Sequence, residues 1–114
     1  MKLKLKKKPR IFFPSGDKKI KIEDLGDIEL MPNEQLTFVK ESGARFDFAS
    51  KNWGFYATPS VNNRLKNEGF KTAMVENSKG SIYIMVVETK KLKLFKEYCN
   101  TENQKILEWL DERR

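Results

Sequence analysis

Four polar residues at close spacing, Ser60, Asn62, Asn63 and Arg64, follow directly on Thr58-Pro59. Threonine is a good helix N-cap, and proline is harmless at the first helical position because its missing N–H has no partner there anyway. A helix start presents free N–H groups and a partial positive charge, which attract anions. Asparagine can donate and accept at such a place, and arginine can fork onto a carboxylate or phosphate. Tyr56, on the strand leading into the helix, completes the candidate ligand-binding set of Tyr56, Ser60, Asn62, Asn63 and Arg64. These residues suit a small anionic ligand with an apolar or sugar-like face, or a partner protein.

The chemistry the chain lacks is equally informative. It has no histidine and one cysteine. That excludes a Ser-His-Asp triad, a Cys-His pair, a histidine metal site and a structural zinc cluster. Neither glycine-rich nucleotide fingerprint occurs. No metal, cofactor or catalytic residue is therefore assigned. Asp47 lies between Phe46 and Phe48, where desolvation could raise its pKa, but strand alternation turns it away from those rings and beside Arg45. Cys99 falls on an apolar helical stripe, the usual place of a small buried hydrophobe. The leading expectation is a non-catalytic binding or accessory module. An enzyme using carboxylate, Tyr or Arg chemistry is an alternative.

A second alternative comes from charge. The chain of 114 residues carries 23 Lys and Arg against 16 Asp and Glu, a net charge of +7. Lys2, Lys4, Lys6, Lys7, Lys8 and Arg10 all fall in residues 1–10, which hold no acid, so residues 11–114 are nearly neutral. We expect a basic N-terminal arm over residues 1–10, mobile or added as an edge strand, ahead of a single domain over 11–114. Such an arm can touch RNA or DNA phosphates. A stacking platform for bases would need Phe12, Phe13, Phe55, Tyr56 and Tyr83 on the surface, whereas their pattern reads as core. No apolar run is long enough to span a bilayer, and the lone cysteine suits a reducing compartment, so the expected location is the cytoplasm.

These residues need elements to hold them. Pro14-Ser15-Gly16-Asp17 reads as a turn, Lys19 to Ile22 and Asp27 to Leu30 as short strands, and Met31 to Glu34 as another turn. Gln35 to Val39 and Arg45 to Ala49 form a predicted hairpin around Gly43. Trp53 to Thr58 is a strand with its aromatics in the core, followed by a helix of roughly nine residues to Gly69. Phe70 to Glu76 and Ser81 to Glu88 form a second hairpin. Ile82 to Val87 is apolar throughout, which predicts a central strand covered on both faces. Lys90 to Asn100 is helical. Residues 104–110 fit a strand better than a helix begun by a capping box at Thr101-Glu102-Asn103-Gln104. The expected class is α+β, a mainly antiparallel sheet with two short helices. Its C-terminal part is arranged as βαββαβ (ferredoxin-like) if residues 104–110 are a strand, with β strands preceding it. An exposed sheet edge would also permit a homodimer.

Overall fold

The computed structural model describes residues 1–14 and 19–114. The chain is α+β with antiparallel pairing and two helices, as expected. It divides into two compact units, Met1–Thr37 with Asp47–Tyr56, and Phe38–Phe46 with Ala57–Arg114. The turn expected at Ser15-Gly16-Asp17 lies outside the described residues.

In the first unit, β1 (Lys2–Phe12) pairs antiparallel with β2 (Ile22–Glu29). Residues 10 and 11, on either side of the expected arm boundary, are consecutive residues of β1. The expected break at Gly26 is not a break, because β2 runs through it. Gly26 sits at φ +148°, and a Cβ there would lie 2.2 Å from the Lys4 carbonyl oxygen. Only glycine permits that approach of the two backbones. Lys19-Ile20 forms a bend and not a strand. The predicted hairpin, β3 (Gln35–Val39) and β4 (Arg45–Lys51), is divided between the units, its loop end Phe38–Phe46 belonging to the second, and β5 (Gly54–Ala57) joins β4 on its other side.

In the second unit, β6 (Phe70–Glu76) and β7 (Ile82–Glu88) form the other predicted hairpin. Its turn is built by Asn77, whose side-chain oxygen accepts the N–H groups of Lys79 at 3.0 Å and Ser81 at 2.9 Å. The last strand, β8 (Lys105–Trp109), returns to pair with β6. Strand order is therefore β7-β6-β8. The central, doubly covered strand is β6, with Phe70, Thr72, Ala73 and Val75 all buried. The expectation placed that role on β7, which lies at the sheet edge. Ile82, Tyr83 and Ile84 are 50%, 47% and 58% exposed. Elements 53–110 follow β-α-β-β-α-β along the chain, but β5 pairs with β4 and is absent from this sheet, so the pairing differs from the split βαβ order.

The first helix, α1 (Arg64–Asn67), is much shorter than the predicted span from Thr58. Ser60 explains the late start. Its carbonyl accepts the Asn63 and Leu65 N–H groups, and its hydroxyl accepts the Arg64 N–H at 3.0 Å. Val61, Asn62 and Asn63 are weak helix formers, so this capped turn replaces a helical one. α1 contributes the fully buried Leu65 to the core, and Gly69 at φ +94° ends the segment as predicted. A 3-10 turn, Thr89–Lys91, leads into α2 (Leu92–Thr101), which packs on β7 and β8. Asn103, at φ 54°, stops α2 while the Gln104 N–H bonds back to the Cys99 carbonyl at 2.8 Å. The Thr101–Gln104 segment thus ends one helix and begins none.

Candidate functional site

The residues singled out around the helix start are mostly engaged with other protein groups. Ser60 caps α1 as described. Asn62 donates from Nδ2 to the Arg113 carbonyl at 3.2 Å, and Asn63 Oδ1 accepts from Asn67 Nδ2 at 3.0 Å. Arg64 Nη1 lies 3.4 Å from Glu68 Oε1, one helical turn away. The N–H groups of residues 63 to 65, which would have faced an anion, are bonded to Ser60. Tyr56 belongs to the first unit, where its ring stacks on Trp53 at 6.0 Å. Ser60, Asn62, Asn63 and Arg64 belong to the second unit.

The aromatics expected in the core lie largely on the surface. Trp53 is 68% exposed and Phe55 67% exposed, and Tyr56, Tyr83 and Phe13 are exposed as well. Strand alternation fixes which side a ring takes, and only a covering layer would bury it. Cys99 is buried, and burial pushes its thiol pKa up, so little reactive thiolate forms. The Asp47 carboxylate accepts a hydrogen bond from the Thr37 hydroxyl at 2.6 Å. Among the described residues, no three His, Cys, Asp or Glu side chains gather to hold a metal. No helix among the described residues is long and apolar enough to cross a membrane.

Half of the arm's basic residues stand opposite an acid of β2. Lys2 stands opposite Glu29, and Lys4 opposite Asp27. Arg10 donates to Asp24 at 3.2 Å, and this bond, with the Gly26 N–H, holds the Asp24 carboxyl below its usual range. Lys6, Lys7 and Lys8 fall in the stretch between the two paired segments of β1.

A different place in the second unit has the properties of a site. A cleft of about 700 Å³ opens beside the β3–β4 loop, between Ser42 to Arg45 on one side and Glu68 to Phe70 with Glu88 to Lys91 on the other. The loop is closed by the Lys40 N–H to the Ala44 carbonyl and the Gly43 N–H to the Lys40 carbonyl, each at 2.9 Å. It is tied to the end of β7 by Glu88, which accepts from Lys40 at 2.7 Å and Ser42 at 3.2 Å. The opposite wall is held where the Thr89 N–H donates to the Gly69 carbonyl at 2.8 Å. Gly43 and Gly69 have open space where a Cβ would stand, which leaves the backbone bare on both walls.

Charge inside this cleft is unevenly matched. Glu88 is held below the usual carboxylate range, chiefly by the Lys40 hydrogen bond, with Ser42 and Lys91 adding to it. Glu68 is paired with Arg64. Each acid on the wall thus has a cation beside it. Arg45 and Lys90, also on the wall, have no ion-pair or side-chain hydrogen-bond partner among the described residues. What remains is positive potential in a concave setting, suited to a carboxylate or phosphate. No local pattern marks this place, because its walls come from three separate stretches of the chain. Lys90 and Lys91 stand at a helix start with no acid in the first turn, where the helix dipole disfavours cations.

Comparison with protein-family models, curated proteins and solved structures found no match to this chain.

Proposed function

We propose that this chain is a non-catalytic binding module that holds a small anionic ligand in the cleft beside the β3–β4 loop. The observation that carries the reading is the pair of unmatched cations, Arg45 and Lys90, on a wall whose acids each have a cation beside them. Arg45 supplies a planar fork for two oxygens, and Lys90 a mobile point charge. The cleft lies at the C-terminal end of α1, bordered by Glu68 and Gly69, and not at its start. At the start, the side chains and N–H groups serve one another and leave fewer donors for a ligand.

The test is thermal unfolding with inorganic phosphate, pyrophosphate and citrate. A ligand that binds only the folded state at about 100 times its Kd adds about 2.7 kcal/mol of stability. At least one of these anions should raise the Tm of the wild-type chain. The double variant Arg45→Gln/Lys90→Gln should fold with a similar unliganded Tm and lose most of that increase. An equal increase in the double variant would overturn the assignment to this cleft.

A further inference from the structure

The β1–β2 ribbon carries an apolar face that is left open to solvent. Leu3 and Leu5 stand two residues apart on β1 and so share a face, and Ile28 stands opposite Leu3. The three are 58%, 70% and 45% exposed. Lys2, Lys4, Asp27 and Glu29 fall on the other face. An antiparallel sheet with this alternation commonly buries its apolar face and leaves the charged one to water. A ribbon of two strands is marginally stable without such cover.

The charge beside this face is one-sided. The register jumps from Leu5 opposite Gly26 to Arg10 opposite Asp24. The stretch from Lys6 to Pro9 thus stands against Leu25 alone. Such a bulge breaks the alternation of side chains, and the proline has no N–H to close it. Lys6, Lys7 and Lys8 are all exposed and have no ion-pair or side-chain hydrogen-bond partner among the described residues. The acids of β2 are already matched. Asp24 is bonded to Arg10, Glu23 lies 3.5 Å from Lys21, and Asp27 and Glu29 stand opposite Lys4 and Lys2. Three adjoining cations therefore remain over, directly after Leu5.

These features together select the occupant. A second copy can cover the apolar face, but its ribbon brings no free acid to meet the lysines. A nucleic acid can meet the lysines, but leaves the apolar side chains in water. A bilayer with anionic headgroups does both. Apolar side chains reach the acyl boundary, while lysine stems carry their ammonium groups to the headgroup charge. The matched charges of the opposite face then stay in water.

We infer that the β1–β2 ribbon docks on an anionic bilayer surface, with Leu3, Leu5 and Ile28 entering the headgroup boundary and Lys6, Lys7 and Lys8 meeting its charge. Co-sedimentation of the full chain with phosphatidylcholine vesicles, with and without phosphatidylglycerol, tests this. The expected result is binding to the mixed vesicles that weakens with added salt, and little binding to phosphatidylcholine alone. Lys6→Gln/Lys7→Gln/Lys8→Gln should weaken it about a hundredfold, at roughly fivefold per lysine. Leu3→Ser/Leu5→Ser should weaken it at least about tenfold. All these positions are exposed, so both variants should keep the wild-type circular dichroism spectrum. Ile84→Ser, at a position on β7 as exposed as Leu3, should bind as wild type does. So should Arg45→Gln/Lys90→Gln, which separates this surface from the cleft. No binding to the mixed vesicles overturns the inference, as does an equal loss in Ile84→Ser and Leu3→Ser/Leu5→Ser. A chain that ignores vesicles but binds a DNA oligonucleotide through the three lysines would assign the ribbon to nucleic acid instead.

Discussion

Asp111 shows how one residue's surroundings decide its role. Its carboxylate is 1% exposed, accepts the Thr72 N–H at 2.9 Å and meets the Lys71 ammonium at 3.0 Å. Burial raises its pKa, but the Thr72 N–H and Lys71 outweigh that, and the net direction is downward. Lys71 moves up, chiefly through its hydrogen bond to Asp111. It also lies 4.7 Å from the centre of the Trp109 ring. A carboxyl with a lowered pKa contributes stability above its unfolded value, about 3.9, and that contribution is lost as pH falls through the folded value. The matching lysine contribution is lost only as pH rises above about 10.4. Lys71→Met should keep apolar contact with Trp109 and strand a buried carboxylate. The expected cost at pH 7 is near the lower end of about 3–5 kcal/mol, because Lys71 is itself partly exposed. Urea unfolding should also show this variant losing less stability than wild type between pH 6 and pH 3. Equal stability at pH 7 would mean the pair does not hold β6 to the C-terminus. None of this was legible in the sequence, because Lys71 and Asp111 lie 40 residues apart and neither carries a local signal.

Elements were most legible where local chemistry sets them. Both hairpins, the glycine after α1 and the body of α2 follow turn residues and apolar spacing that can be read directly. The errors arose where a distant partner decides. β7 is more apolar than β6, yet β6 is the buried strand because β8 returns to pair with it. α1 is short because the hydroxyl and carbonyl of Ser60 take the N–H groups that a longer helix would have used. Gly26 looked like a strand end and is instead the point where β2 meets the Lys4 backbone. Gly26→Ala should therefore separate β1 from β2. The expected loss is at least about 1–3 kcal/mol. Hydrogen exchange should show the Lys2–Leu5 amides losing protection while β6 keeps its own. Unchanged protection along β1 would show that the ribbon accommodates a Cβ at this position.

At the scale of the whole molecule, the net charge has to be apportioned by place. Six basic residues in the first ten read as an arm, mobile or added as an edge strand, and Arg10, Lys4 and Lys2 stand opposite Asp24, Asp27 and Glu29 of the strand that pairs with it. The proposed site draws on Arg45 and Lys90, which no run of sequence brings together. The sequence points to an arginine among asparagines and a serine at a helix start, and neither Lys90 nor the glycine-bearing walls of the cleft carry a local signal of a site. An NMR titration of the full chain with phosphate, pyrophosphate and citrate in turn separates the cleft from the helix start, because each place has its own amides to report binding. With at least one of these anions, the Gly43, Gly69 and Lys90 amides should shift saturably while those of Asn62 and Asn63 stay nearly still. Saturable shifts confined to Ser60 through Arg64, or none in either group with any of the three, would contradict the assignment to the cleft.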